Sequence, residues 1–163
     1  MKKWPVLMMV LLLTACGYHL RGSFDLPKGI KKIYLRGAST LLREQFSKTL
    51  QGSSGQLVNS PTTAEVIVGI FDSDIKQRGV SLSAGGRSNE FELTYRLEYE
   101  LRDATNKVLL AREPMEIRRE YFNDQQDIIA KDNEESVIRT EMYQQAVRGI
   151  FNRLRAVLAT KPK

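Results

Sequence analysis

The clearest pattern in the chain is a strict alternation. Phe91, Leu93, Tyr95, Leu97, Tyr99 and Leu101 alternate with Glu92, Thr94, Arg96, Glu98 and Glu100. Successive side chains on a strand point to opposite faces, so the pattern predicts a strand with one buried and one wet face. Upstream, residues 64–77 (AEVIVGIFDSDIKQ) read as a strand whose first half is apolar on both faces, and 32–37 (KIYLRG) as a short one. Residues 78–89 (RGVSLSAGGRSN) are polar and glycine-rich, and read as a hairpin loop. Lys107 to Phe122 returns as a strand, broken or bulged near Pro114.

Two stretches carry helical spacing instead. Ser39 or Thr40 can cap a helix running to about Gln51, with Leu42, Phe46 and Leu50 four apart on one face. Gly52 to Gly55 ends it. A long C-terminal helix is expected from Asp132, where Asp132 and Glu135 sit at capping-box spacing. Ile138, Met142, Tyr143, Ala146, Val147, Ile150, Phe151, Leu154, Val157 and Leu158 form its apolar face. The predicted order is β-α-β-β-β-α. The expected fold is α+β, a two-layer sandwich with both helices on one face of a four-stranded, mostly antiparallel sheet.

The N-terminus has a different character. Lys2 and Lys3 precede the apolar run Val6 to Leu13, and Thr14 and Ala15 are small, as in a secretory signal. Such a run is too short to span a bilayer, which takes about 20 helical residues. Leu13-Thr14-Ala15-Cys16 resembles a bacterial lipobox. That resemblance implies removal of residues 1–15, lipidation of Cys16 and a single domain over 16–163. A plain signal peptide with an incidental cysteine is the simpler alternative. Each buried methylene of an anchor contributes about 0.8 kcal/mol, and one chain alone binds only reversibly. Several acyl chains on Cys16 would hold the protein on its membrane. Gly17 stands where an aspartate often marks inner-membrane retention, which favours the outer membrane and its periplasmic side.

Composition narrows the chemistry. The chain has 163 residues and a net charge of +6, which falls to +4 once Lys2 and Lys3 are lost. A basic balance can mean nucleic acid, but export argues for lipid phosphates instead. Cys16 and His19 are the only cysteine and the only histidine. Two such residues beside a chain terminus make neither a zinc site nor an oriented nucleophile–base pair. No GxSxG, Walker loop, HExxH or CxxC is present, and Gly85-Gly86 reads as turn chemistry. No catalytic residue, metal or cofactor is expected, and the chain does not read as an enzyme.

CGYHLRG at 16–22 and AKDNEESVIRTEMYQQA at 130–146 resemble the LptE family, with 121–134 (YFNDQQDIIAKDNE) extending the second match upstream. The resemblance implies an outer-membrane lipoprotein that plugs an LptD-type β-barrel as a heterodimer. Such a protein assists the barrel's assembly, contacts lipopolysaccharide and helps deliver it to the outer leaflet, with its domain inside the barrel lumen. Glu92, Arg96, Glu98 and Glu100 would then face a polar lumen wall; an ordinary solvated sheet face is the bland alternative. By the same resemblance, Lys131 occupies the lysine of the Ala-Lys-Asp-Asn-Glu motif. Arg87 lies at the hairpin tip, with Arg78 and Lys76 behind it. These four are the candidate lipopolysaccharide contacts, against solvated surface charge as the alternative. The other readings are an accessory lipoprotein for a different barrel or for peptidoglycan, and an enzyme of envelope lipids or glycans.

Overall fold

A computed structural model describes residues 26, 30–53, 55–82, 88–122 and 128–160. The signal segment, Cys16, His19 and Arg87 lie outside them. The elements are β1 (Lys32–Arg36), α1 (Thr40–Gln51), β2 (Gln56–Val58), a 3-10 turn (Pro61–Thr63), β3 (Val66–Leu82), β4 (Ser88–Asp103), β5 (Val108–Phe122) and α2 (Ile128–Ala159). The fold is α+β with two helices, as expected. The sheet has five strands in the order β2-β1-β3-β4-β5, not four. The extra strand, β2, is three residues long, too short to show any period in the sequence.

The sheet is mixed. β1 runs parallel to both β2 and β3, while β3, β4 and β5 form an antiparallel meander. The parallel β1–β2 pair follows from α1, because a helix between two strands returns the chain in the same direction. Ser39 caps α1 as predicted, its hydroxyl accepting from the Leu42 N–H at 3.3 Å. Gly37, after β1, has φ +77, and a Cβ there would lie 2.3 Å from the Ile70 carbonyl oxygen. Only glycine fits that close approach.

One core lies between the sheet and the two helices. Ile33 and Leu35 of β1, Val68 and Ile70 of β3, and Leu93, Tyr95, Leu97, Tyr99 and Leu101 of β4 point into it. Leu42, Phe46 and Leu50 of α1 and Met142, Ala146, Val147, Ile150, Phe151 and Leu154 of α2 close it. Each fully buried side chain of this size contributes about 1.5–3 kcal/mol. Phe46 and Phe151 join the helices with ring centroids 5.4 Å apart, and Tyr95 meets Tyr143 edge-on at 5.0 Å.

Two sequence expectations are corrected. α2 begins at Ile128, not at Asp132. Ile128, Ile129, Ala130 and Lys131 include no glycine or proline, so nothing stops the helix from starting before the acids. Residues 78–82 are strand, not loop, because β3 continues pairing with β4 as far as Leu82. Residues 88 and 89 likewise already belong to β4. The irregularity expected near Pro114 is present as a bulge rather than a break, and β5 continues through Pro114, which pairs with Glu98. β5 is an edge strand, where a missing N–H costs little. The irregularity falls just before it, between Leu110 and Glu113.

Candidate functional site

The face of the sheet away from the helices is open, and two bulges decide what it displays. In β3 the register slips by one residue between Phe71 and Asp74, with Asp72 at φ 44. Aspartate tolerates this left-handed conformation better than most residues. Before the bulge, Val66, Val68 and Ile70 point into the core. After it, Ile75 packs against the core, so Asp74, Lys76 and Arg78 turn to the open face. Without the slip, Lys76 and Arg78 would point at the helices. The second bulge does the same for β5: Leu110 packs against the core while Arg112 lies outward over Phe71.

The open face is a lattice of ion pairs. At the β1 end, the Glu100 carboxylate accepts from Arg36 Nη2 at 2.9 Å and from Arg102 Nε and Nη2 at 2.9 and 3.0 Å. Glu100 is only 8% exposed. It lies over Gly69, where a Cβ would come within 3.1 Å of its side chain, so the glycine makes room for the carboxylate. The Phe71 ring has the Arg112 guanidinium 4.3 Å from its centroid and that of Arg36 at 5.9 Å. Arg112 also reaches Asp72 and Glu98.

Toward the hairpin, Arg78 Nε donates to Glu92 at 2.7 Å, and the Thr94 hydroxyl donates to the same oxygen at 3.2 Å. Arg96 and Arg118 both donate to Glu116. These contacts set the protonation of the face. The Arg102 hydrogen bonds hold the Glu100 carboxyl below its ordinary value against the opposing pull of burial. The bond from Arg78 does the same for Glu92, and those from Arg96 and Arg118 for Glu116. All three are anions at neutral pH, each held by a cation.

Of the predicted contacts, β3 carries Arg78 and Lys76 side by side on this face. Arg78 is bonded to Glu92; Lys76 has Asp74 at 3.8 Å and is 73% exposed. Lys131 lies within the first turns of α2, not ahead of it. The polar residues expected on β4 are on the open face, yet Glu92 and Glu100 are buried there beneath arginines rather than solvated. The sequence reading missed Arg36, Arg102, Arg112, Glu116 and Arg118. A signal was available for part of this set: Arg112, Glu116, Arg118 and Glu120 fall on alternate positions of β5. Among the described residues no helix is long and apolar enough to cross a membrane. No group of His, Cys, Asp and Glu among them has metal-binding spacing.

The family model for LptE, described as lipopolysaccharide-assembly, matches residues 30–154. The chain belongs to the LptE family. The LPS-assembly lipoprotein LptE of Photorhabdus laumondii is 25% identical over 150 residues, covering 91% of this chain and 81% of the relative. That of Yersinia enterocolitica is 26% identical over 157 residues, covering 94% and 75%. Among solved structures, lipoprotein B of Nitrosomonas europaea superposes with a TM-score of 0.71 at 27% identity, covering 88% of this chain and 94% of that one. Rare lipoprotein B of Shewanella oneidensis gives 0.65 at 20% identity, covering 79% and 97%, a likeness of fold. The LptE match spans β1 to most of α2, so it takes in the whole open face.

Proposed function

We propose that the chain is an outer-membrane lipoprotein, anchored through Cys16, whose domain plugs and helps assemble an LptD-type barrel and contacts lipopolysaccharide on its way to the outer leaflet. One observation carries the reading beyond family membership. A whole sheet face is surfaced with paired charges and left uncovered by the helices. Barrel lumens are polar, so a plug needs such a surface, and paired charges meet a polar wall at lower desolvation cost than bare ones. Lys131, Arg87, Arg78 and Lys76 are the proposed lipopolysaccharide contacts, Lys and Arg being suited to its phosphates.

The test is capture in place. A photo-crosslinker at Arg96, on the open face, is compared with one at Arg148, on the exposed side of α2. Expected is a detergent-stable one-to-one complex with a large β-barrel, crosslinked strongly from position 96. Recovery of the chain as a monomer under every mild extraction would overturn the plug, and capture of a different barrel would move the assignment to another partner. Mass spectrometry of the mature N-terminus checks the anchor: an acylated Cys16 is expected, and an unmodified or different terminus refutes it. Lys131→Asp with Arg87→Asp is expected to weaken lipopolysaccharide binding with the fold and the barrel complex intact. The weakening should shrink in high salt. Equal binding at low salt would return both residues to solvated surface charge.

A further inference from the structure

The charges on the hairpin half of the open face are sorted into rows across the strands. Asp74, Arg96 and Glu116 stand in register, as do Arg78, Glu92 and Glu120. Each of these rows holds two acids and one arginine. The row between them is Lys76, Thr94 and Arg118: two bases, a hydroxyl and no acid. Leu93 and Tyr95 point into the core, so Thr94 points out between the two bases. Neighbouring strands lie about 4.8 Å apart, which puts the backbones of Lys76 and Arg118 about 10 Å apart. Two long basic side chains at that spacing can close on one tetrahedral anion above Thr94.

The surface there is concave. A groove of about 400 Å³ is lined by Lys76, Gln77, Arg78, Glu92, Thr94, Arg96 and Arg118. Four of those seven residues are cations and one is an acid. Glu92 is engaged by Arg78 and by the Thr94 hydroxyl, and Glu116, outside the lining, holds Arg96 and draws on Arg118. Lys76 is the least committed cation of the row, its acid 3.8 Å away. Arg118 shares its acid with Arg96, so one guanidinium edge can turn to a ligand while Glu116 stays neutralised.

We propose that the Lys76–Thr94–Arg118 row is a phosphate-binding subsite, taking the phosphate group of a phosphorylated glycan headgroup. It deepens the proposed lipopolysaccharide contact and rests on that reading for its ligand, keeping Lys76 and adding Thr94 and Arg118 beside it on the sheet face. The lysine supplies a point charge, the guanidinium a two-pronged hydrogen bond and the threonine hydroxyl a third donor once released from Glu92. The β3 bulge at Asp72 is what puts Lys76 in the row.

The test uses the full lipidated chain in detergent, with isotope-labelled Thr94 as reporter. The probes are purified lipopolysaccharide, the same material enzymatically dephosphorylated, and inorganic pyrophosphate. Expected is at least a tenfold loss of lipopolysaccharide affinity in Lys76→Gln with Arg118→Gln, with the Thr94 resonance responding to phosphorylated ligand in wild type only. Lys76→Arg with Arg118→Lys should recover most of the affinity, and Lys48→Gln on α1 should leave it unchanged. Both substituted side chains are largely exposed, 73% and 58%, so the double variant keeps its core. Equal binding by wild type and double variant overturns the subsite while leaving the lipopolysaccharide reading in place. If wild type binds no lipopolysaccharide but pyrophosphate moves Thr94 and the double variant abolishes this, the subsite stands for free phosphate and the glycolipid reading fails. Silence of Thr94 to both phosphorylated probes overturns the subsite.

Discussion

β4 presents two faces made by opposite means. On one, Leu93, Tyr95, Leu97, Tyr99 and Leu101 are packed dry under two helices. On the other, Glu92 and Glu100 are almost as inaccessible, at 6% and 8%, yet among the described residues no helix or strand covers them. Arginine side chains do, laying apolar stems along the sheet and placing their charge on the carboxylates. Burial on the first face comes from secondary structure. On the second it comes from side chains that solvent or a partner can lift. The dry face holds the fold, and the open face is available for exchange of partners.

The largest expected effect breaks the dry face. Leu97 is 1% exposed, and Leu97→Ala should destabilise by about 2–5 kcal/mol in a urea titration. A loss below the cost of removing an exposed residue would mean that the helices do not seal this face.

The two faces should also fail at opposite ends of the pH scale. Burial pushes Tyr95 and Tyr121, on the dry face, up from 10.0 to about 12. Their neutral forms favour the folded state. That contribution is complete below pH 10 and is lost as pH rises to about 12. The open-face carboxyls of Glu92, Glu100 and Glu116 are lowered from 4.5 by their arginines. Their contribution is present above 4.5 and disappears as pH falls below it. Tyrosinate absorbance followed with thermal unfolding should show the buried tyrosines ionising only as the fold is lost. Ionisation of every tyrosine near pH 10 in a folded protein would contradict the packing of Tyr95 and Tyr121.

Glu100→Ala breaks the open face at a buried carboxylate and should cost about 1 kcal/mol, since Arg36 and Arg102 lose their shared partner but regain water. Acid sensitivity should fall in the variant. Unchanged acid unfolding would mean that the cluster contributes nothing to the fold.

The sequence made the dry face legible because burial there follows one strand's own period. Leu93 to Leu101 needed no knowledge of neighbours. The Ser39 cap and the Leu42, Phe46 and Leu50 stripe were equally local. The open face was not legible, because its content depends on register. Lys76 and Arg78 reach it only through the extra residue at Asp72, and Arg118 meets Thr94 only through the pairing of two strands. β2 was hidden by its length, and the start of α2 by acids that mimic a cap. The candidate anchor was legible as a motif, and Lys131 and Arg87 only through resemblance.

The smallest effect sharpens the comparison furthest. Glu98 shares the open face and is bonded to Arg112, but it stays 39% exposed at the side chain. Arg112 keeps Asp72 and the Phe71 ring when Glu98 is removed. An exposed pair with a spare partner contributes little, so Glu98→Ala should change stability by no more than about 0.5 kcal/mol. Glu98 and Leu97 are adjacent, so the two substitutions differ in little but the face they touch. If Glu98→Ala were the costlier, the register of β4 would be off by one and every assignment of the two faces would invert. If both were costly, Arg112 would be bracing the β3 bulge through Glu98, and the open face would be part of the fold's support rather than a surface free to meet a partner.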